Sequence, residues 1–255
     1  MLAEKRRDQL RKIIRQRKFV SLSQMAESLG VSESTVRRDL EHLQQNGEVF
    51  RTHGGAYSVS MNDKSFPLFE LNMQKNSIQK KAIAQKAAEL IEIGQSILLD
   101  GGTTTYCLAQ ELIGRQLSVV TGSLPHIELF SADATCDLIV IGGNLCRRSG
   151  VCQGPVTDKM LSEIHVHKAI MSVAAICDTG FYNHNLLLVN TEQAIIRSAD
   201  ELIILSDSAK FGQQSLAHVC SLDKASCIVT DSGLSELWRE KLDKMGIRYI
   251  LADVA

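Results

Sequence analysis

Short apolar runs alternate with helical segments between residues 96 and 251, and this alternation is the feature that most constrains the fold. Seven runs are predicted as strands because they are short, apolar and bounded by turn residues: Ser96–Asp100, Leu117–Thr121, Asp137–Ile141, Lys168–Ala174, Leu202–Ser206, Cys227–Thr230 and Arg248–Leu251. Helices are predicted between most of them, at Thr104–Ile113, Leu124–Phe130, Val156–Ile164, Val189–Ser198 and Leu234–Met245, after a long first helix at Ile78–Ile93. The alternation predicts an α/β fold with a mainly parallel, doubly wound sheet and helices on both faces.

The size and composition of the chain predict two folded domains without a membrane span. The chain has 255 residues, of which 44% are hydrophobic and 22% are charged, values typical of a soluble globular protein. No uncharged apolar run reaches the roughly 18 residues of a membrane helix, and the start lacks a signal-peptide core, so we expect a cytoplasmic protein. Its 7 cysteines show no metal-ligand spacing and are expected to be small buried hydrophobes.

The first 57 residues have the pattern of a helix-turn-helix. Apolar residues between Leu2 and Gln16 recur at helical spacing, and Ser23 is expected to cap a second helix at Gln24–Leu29. Gly30-Val31-Ser32 then supplies a glycine for a left-handed turn, a buried residue and a serine cap. The following helix, Glu33–Gln45, has its apolar positions four and three residues apart, so one face turns inward.

Polar and basic side chains at the start of this third helix are candidate DNA contacts, because a recognition helix enters the major groove with its first turns. They are Ser32, Ser34, Thr35, Arg37 and Arg38. Adjacent helical residues point about 100° apart, so we expect one arginine to approach the groove and the other to bind a phosphate or an acidic neighbour. Which arginine does which is left open, and Asp39 and Glu41 are expected to face away from DNA.

Residues 48–56 are predicted to form two short extended segments, the wing of a winged helix. Arg51 and His53 in this wing are candidate phosphate contacts. The alternative is that Gly54-Gly55 only begins a flexible linker. Residues 1–57 hold 11 Lys and Arg against 7 Asp and Glu, whereas the rest holds 17 against 22, and this asymmetry favours a nucleic-acid partner for the first domain.

The domain boundary is predicted near residue 60. Residues 58–76 lack periodicity and contain a polar stretch and Pro67, so they are interpreted as a linker. The resulting organisation is a winged helix-turn-helix at 1–57, the linker, and an α/β domain at 77–255.

The loop after the first strand of the α/β domain is a candidate anion site. Ligands of such folds bind beyond the carboxyl ends of the strands, and here Asp100-Gly101-Gly102-Thr103-Thr104 leads directly into a helix. Glycines permit close approach, and the helix start offers free N–H donors, so a phosphate fits there. Asp100 is expected to brace the loop or to accept a sugar hydroxyl, and a plain glycine turn with a threonine cap is the alternative.

A second loop with charged residues follows the strand Leu202–Ser206. Asp207 is expected to bind a hydroxyl or to position Lys210, which is the candidate phosphate partner. A solvated Asp–Lys pair is the alternative. Further candidate ligand contacts at strand ends are Thr121, Gly142, Gly143 and Glu192, each of which also suits turn or capping chemistry.

The chain resembles the DeoR family of bacterial regulators at both ends. The ordered motif is Val31-Ser32-x-x-Thr35-Val36-Arg37-Arg38-Asp39-Leu40, then Leu43, Gly47 and Arg51-x-His53-Gly54-Gly55-Ala56. The Asp-Gly-Gly-Thr-Thr loop, the Gly-Gly segment, the Glu and the Asp-x-x-Lys-x-Gly loop follow in the order of that family's sensor domain, so the resemblance covers residues 3–235. It implies a DNA-binding repressor or, less often, an activator.

The resemblance also implies the ligand. The family's sensor domain is similar in fold to ribose-5-phosphate isomerase, so the expected effector is a phosphorylated sugar, with double-stranded operator DNA as partner and no cofactor or metal. Two departures weaken the residue-level transfer: Thr121-Gly122 replaces the Thr-Asn common in the family, and Ala174–Asp178 is less glycine-rich.

Three other functions fit some of these residues. Asp100, Glu192, Asp207 and Lys210 suit acid–base chemistry, which leaves a sugar-phosphate isomerase with an accessory DNA-binding domain as the main alternative. A metal site is disfavoured because His165-x-His167 lacks a nearby third ligand. An RNA-binding module is disfavoured by the 5% aromatic content. A homo-oligomer is expected, because helix-turn-helix modules usually bind paired half-sites.

Overall fold

The computed structural model describes residues 3–17, 19–45, 48–51, 54–58 and 66–254, and the chain divides into two compact units, Met1–Pro67 and Leu68–Ala255. The helices in the described residues are α1 Ala3–Arg17, α2 Leu22–Leu29, α3 Glu33–Gln45, α4 Pro67–Gln74, α5 Ser77–Ala88, α6 Thr103–Leu112, α7 Leu124–Phe130, α8 Pro155–Ser162, α9 Leu186–Arg197 and α10 Glu236–Lys244. The strands are β1 Phe19–Ser21, β2 Val49–Arg51, β3 Gly55–Ser58, β4 Ser96–Leu99, β5 Ser118–Thr121, β6 Asp137–Val140, β7 Asn144–Cys146, β8 Val151–Gln153, β9 Val166–Ser172, β10 Ala175–Cys177, β11 Gly180–Asn183, β12 Ala199–Leu205, β13 Ala217–Cys220, β14 Cys227–Asp231 and β15 Tyr249–Ala252. In the described part of the chain, no helix has the length and apolarity to cross a membrane.

Three helices and a small antiparallel sheet form the first unit. The inward-facing residues of α3, Val36, Leu40 and Leu43, are at most 1% exposed and pack with Leu10 and Met25 of the preceding helices. This confirms the helical spacing predicted from the sequence. Burying side chains of this size removes most of their surface from water, at about 25 cal/mol per Å² of apolar area, and this fixes α3 to the unit.

Local hydrogen bonds set the helix boundaries in this unit. The predicted cap Ser23 is wrong, because Ser21 accepts a bond from the Gln24 backbone N–H (3.2 Å) while the Gln24 side chain accepts one from the Ser21 N–H (3.1 Å). This reciprocal capping box starts α2 at Leu22. The other two predictions are confirmed: Gly30 ends α2 with a left-handed φ of 62°, and the Ser32 hydroxyl accepts a bond from the Thr35 N–H (3.3 Å).

The predicted wing is present. β2 and β3 are antiparallel, with Arg51 opposite Ala56, and β3 also pairs with β1. Gly55 therefore lies in the central strand of a three-stranded sheet. The alternative in which the glycine pair only begins a flexible linker is wrong.

A helix occupies part of the segment that the sequence analysis assigns to a linker. α4 covers Pro67–Gln74, whereas residues 59–65 lie outside the described residues. The Phe69 ring packs edge-on against Tyr106, with 5.2 Å between ring centroids. This contact with a residue far along the chain stabilises a helix within the predicted linker that local periodicity does not indicate.

The second unit is built on a seven-stranded sheet of order β15-β14-β12-β9-β4-β5-β6, in which every neighbouring pair is parallel. All seven predicted strands are present, with ends within three residues of the predicted ones. Ile97 and Leu99 pack on one face with α5 and α6, whereas Leu98 packs on the other with α8 and α9. The predicted α/β architecture is therefore confirmed.

Long-range hydrogen bonds make α5 shorter than predicted. α5 ends at Ala88 rather than at the predicted Ile93. The Arg115 guanidinium donates to the Ala88 carbonyl (2.8 Å), and the Lys168 ammonium donates to the Leu90 carbonyl (2.8 Å). These donors satisfy carbonyls at the helix end, and the chain turns into β4. The hairpin β7–β8 and the sheet β10-β11-β13 are also absent from the sequence prediction.

Candidate functional site

The start of α3 presents a polar surface. Ser32, Ser34, Arg37 and Arg38 are exposed and Thr35 is half-buried, while the apolar residues of the helix face the core. The Ser32 hydroxyl lies 2.9 Å from that of Ser34 and 3.0 Å from that of Thr35. This surface has the donors, acceptors and charge that base edges and phosphates require.

The two adjacent arginines differ in their surroundings. Arg37 lies 3.7 Å from Glu33, one turn earlier, and both side chains are about half exposed. An exposed pair of this kind contributes only about 0.3–0.5 kcal/mol, so DNA competes with it easily. Arg38 is exposed and has no ion pair within the described residues.

A buried carboxylate fixes α3 to the first helix. Asp39 is 2% exposed and accepts hydrogen bonds from the guanidinium groups of Arg6 and Arg7, the latter at 3.2 Å. Removing one partner of such a buried pair leaves an uncompensated charge. Asp39 therefore points inward and holds the orientation of the helix whose outer face is polar.

Two predicted wing contacts, Arg51 and His53, lie partly or wholly outside the described residues. The backbone of Arg51 lies in β2, and its side chain is outside the described part, as is the whole of His53. Their assignment as phosphate contacts stays a prediction.

In the second unit, the order of the strands brings distant loops together. β4, β9 and β12 are neighbours and parallel, so their carboxyl ends lie at the same edge of the sheet. Asp100 follows β4, Ser172 ends β9 and Asp207 follows β12 after one residue. The two carboxylates predicted from separate motifs therefore flank Ser172 at one edge.

Close packing and internal bonds hold the loop between β4 and α6. A Cβ on Gly102 would lie 2.0 Å from the Ser172 hydroxyl oxygen, so any larger residue here would force the Ser172 side chain to move. The Thr105 hydroxyl accepts a bond from the Gly102 N–H (2.9 Å) and donates to the Asp100 carbonyl (2.7 Å). The loop is thereby preorganised at the start of α6, where the first backbone N–H groups have no intrahelical acceptor.

Three of the residues predicted to contact the ligand have structural roles. The Thr121 hydroxyl is fully buried and donates to the Leu99 carbonyl (2.8 Å). A Cβ on Gly143 would lie 1.9 Å from the Thr157 hydroxyl oxygen, and Thr157 also donates to the Gly142 carbonyl (2.9 Å). These contacts pack the segment after β6 against α8, and a ligand role for Thr121, Gly142 and Gly143 stays a prediction.

Glu192 of α9 has an unpaired oxygen in the interior. It is 0% exposed, its Oε1 accepts a bond from the Asn183 amide (2.5 Å), and its Oε2 has no hydrogen-bond partner among the described residues. A buried polar atom without a partner costs about 1–3 kcal/mol. It is therefore available to a ligand that carries a hydroxyl or another donor.

Burial makes Glu192 and Asp100 weak acids. Burial, and then the charge of Asp100, raise the pKa of Glu192 well above its usual value, although the bond from Asn183 acts in the opposite direction. Burial raises the pKa of Asp100 to about 6, against the effect of a hydrogen bond from the Gly101 backbone. The two groups therefore hold protons more readily than exposed carboxylates, which reduces their repulsion of a nearby phosphate.

A small pocket lies beside the Asp100 loop. Its polar lining comes from Asp100, Thr157 and Thr191, and most of its other lining residues are apolar, whereas Asp207 and Lys210 do not line it. The apolar pocket and the charged edge of the sheet thus share Asp100 and Gly101 only. The edge carries the groups that recognise an anion, so we take it as the candidate ligand site.

Two further residues at this edge, Asn76 and Lys80, are not among the predicted site residues. Asn76 donates to Oδ1 of Asp207 (3.0 Å), and Lys80 is 5% exposed. Burial lowers the pKa of Lys80, although the charge of Asp207 acts to raise it. Both residues precede β4 in the chain and lie within or beside a helix predicted only from its apolar spacing, so no local signal indicated their position.

The histidine pair has other partners. His165 contacts Asp200 (2.8 Å) and His167 contacts the Ser96 hydroxyl (2.7 Å). Among the described residues, no group of three or more His, Cys, Asp or Glu side chains has the arrangement of a metal site.

Comparison with known proteins identifies both units. Residues 6–62 match the model of the DeoR-like helix-turn-helix domain, and residues 75–232 match the model of the DeoR C terminal sensor domain. The chain is 32% identical to the HTH-type transcriptional regulator YulB of Bacillus subtilis (strain 168), covering 92% of this chain and 91% of that protein. It is 30% identical to the lactose phosphotransferase system repressor of Staphylococcus epidermidis (strain ATCC 12228 / FDA PCI 1200), covering 93% of this chain and 95% of that protein.

Among solved structures, ribose 5-phosphate isomerase A from Methanocaldococcus jannaschii is similar with a TM-score of 0.40 and 18% identity, covering 54% of this chain and 55% of that one. A similarity of this size carries no functional inference, and the assignment of the chain rests on the two family matches.

The raised pKa of Asp100 predicts a pH-dependent stability. The folded state holds this proton more tightly than the unfolded chain, so the free energy of unfolding falls as pH rises from about 4 through about 6. In Asp100→Asn this loss is absent, and the variant should gain on the order of 2–3 kcal/mol relative to the wild type between pH 4 and pH 7. Urea unfolding across this range measures the difference, with the exposed Glu128→Gln as control. Parallel pH profiles for the wild type and Asp100→Asn would contradict the assignment.

Proposed function

The chain belongs to the DeoR family of transcriptional regulators, and from this premise we propose that it represses carbohydrate-metabolism genes under the control of a phosphorylated sugar. The observation that carries the proposal is the charged edge of the sheet, where a helix start meets two weakly acidic carboxyl groups and Asp207. Such a set recognises an anionic group and hydroxyl groups in one molecule.

The first unit supplies the DNA-binding half of the proposal. α3 enters the major groove of double-stranded operator DNA with Ser32, Ser34, Thr35, Arg37 and Arg38 toward the bases and phosphates. Arg51 and His53 of the wing contact the flanking backbone. The hydrogen bonds to the buried Asp39 carboxylate keep the polar face of α3 outward, so the surface that contacts DNA is preorganised before binding.

The second unit supplies the effector half. The phosphate binds at the start of α6, where the N–H groups of Thr103 and Thr104 have no intrahelical acceptor and Gly101 and Gly102 permit close approach, with Lys210 as the partner cation. The sugar hydroxyls donate to Asp100, Glu192 and Asp207, of which Glu192 has a free buried oxygen. The similarity to the staphylococcal lactose phosphotransferase system repressor supports a carbohydrate signal.

The working form is a cytoplasmic homo-oligomer. A single helix-turn-helix makes few base contacts, and paired modules on two half-sites multiply its affinity and specificity. Binding of effector and binding of operator are then coupled reciprocally through the protein. The alternative of an isomerase is disfavoured, because the relatives named above are regulators and the same acidic residues are explained by ligand binding.

Substitution of the two exposed arginines tests the DNA-binding half. Arg37→Ala and Arg38→Ala should each weaken operator binding about 5- to 100-fold and leave effector binding unchanged, because each loses a contact to a base or a phosphate. Replacing the arginine that binds a phosphate should also lower the slope of log affinity against log salt concentration by about one unit. Titration of labelled operator at several salt concentrations measures both, with the exposed Lys12→Ala of α1 as the charge-matched control. Wild-type affinity in both arginine variants would remove α3 from the interface.

Substitution of Lys210 tests the effector half. Lys210→Ala should weaken binding of the phosphate ester about tenfold or more, because a charge-assisted hydrogen bond is lost, while operator affinity without ligand is retained. Calorimetric titration with ribose 5-phosphate, glucose 6-phosphate, fructose 6-phosphate and galactosamine 6-phosphate provides the measurement. The exposed Lys224→Ala is the matched control in the same unit. Equal affinities in the two lysine variants would exclude Lys210 from the phosphate site.

A further inference from the structure

α4 is the first element of the second unit and begins two residues after the segment 59–65 that connects it to the DNA-binding unit. Its contacts lead toward the candidate effector site by two routes. On one side, Phe69 packs on Tyr106 of α6 (5.2 Å), and Tyr106 packs on His126 of α7 (5.6 Å). The helix that carries the Gly101–Thr104 loop at its start therefore also supports α4.

The second route is the junction between α4 and α5. The buried Lys80 ammonium donates to the carbonyls of Asn72 and Lys75, the latter at 2.6 Å. These bonds tie the end of α4 and the turn after it to the first turns of α5. An ammonium group held by two carbonyls in the interior is costly to release, so the junction is a defined structure and not a loose hinge.

Asn76 connects this junction to the effector site. It is the one non-glycine residue among those described with a positive φ, at 49°, and its backbone carbonyl accepts the Lys80 N–H (3.0 Å). In this conformation its side-chain amide donates to Oδ1 of Asp207, 131 positions away in the sequence (3.0 Å). Asp207 is 4% exposed at the carboxyl end of β12, where the proposed sugar hydroxyls bind.

We propose that the Asn76–Asp207 hydrogen bond is the contact through which effector binding reaches the operator-binding unit. A sugar hydroxyl that donates to Asp207 competes with Asn76 for the same carboxylate. When Asn76 is displaced, the turn between α4 and α5 is released, and α4, the helix that follows the connection from the first unit, shifts. The inference rests on the proposed function and adds to it a two-state element that both ligands bias.

The left-handed backbone of Asn76 provides a clean variant. Asn76→Gly keeps a residue that adopts φ of 49° without strain and removes only the amide that reaches Asp207. In the effector-free full chain, hydrogen exchange of the α4 amides should accelerate in Asn76→Gly and in Asp207→Ala, and the double variant should show no further increase. Exchange in α10, which lies on the other sheet face, reports global unfolding and should stay at the wild-type rate. The exposed Lys81→Ala, adjacent to Lys80, is the control.

Operator titration of the same variants supplies the second readout. Without ligand, operator affinity of Asn76→Gly should differ from that of the wild type by about threefold or more, and the effect of saturating sugar phosphate should shrink by a similar factor. The probes are the four phosphate esters used for Lys210. If none of them acts on the wild type, the ligand-free difference alone decides.

Two results would overturn the relay while the wild type still binds its operator. One is unchanged exchange of the α4 amides in Asn76→Gly, and the other is accelerated exchange with wild-type operator affinity. A wild-type protein that binds no operator would instead remove the proposed function itself, and the relay with it, so the two failures are distinguishable.

Discussion

The parallel pairing of β9 with β4 on one side and β12 on the other is the constraint on which the second unit depends. A parallel sheet requires each connection to cross a face, so residues more than 100 positions apart meet where the strands end. Asp100 and Asp207 come together in this way, with Ser172 of the central strand between them. Gly102 of the Asp100 loop follows from the same geometry, because it lies within contact distance of Ser172. The chemistry of the edge is thus a consequence of strand order.

The first unit depends on a smaller set of interactions with the same logic. Apolar residues of α3 fix its inner face, and the Asp39 carboxylate, held by Arg6 and Arg7, fixes its rotation relative to α1. The face of α3 that is left exposed to solvent is therefore polar and basic. In both units, buried contacts of ordinary type orient the few side chains that meet a ligand, and this preorganisation lowers the entropic cost of binding.

Local patterns in the sequence predicted most of the fold, because strand and helix periodicity and capping residues act over a few positions. They placed the seven strands of the sheet and the turn at Gly30, and they put Asp100 and Asp207 at strand ends. They missed α4, Asn76 and Lys80, whose positions depend on partners distant in the chain. They also assigned the end of α5 too far along, since Arg115 and Lys168, both distant in the chain, donate hydrogen bonds to the carbonyls at that helix end.

The central claim is that one chain couples an operator to a sugar phosphate, and a titration of the full-length protein on its captured genomic sites tests it most directly. Operator fragments obtained by genome-wide capture are titrated at fixed salt, with and without each phosphate ester. If the two sites are coupled, binding is specific near carbohydrate genes and one ester changes operator affinity by about fivefold or more. Specific binding that no phosphate ester alters, or the absence of specific binding, would contradict the central claim.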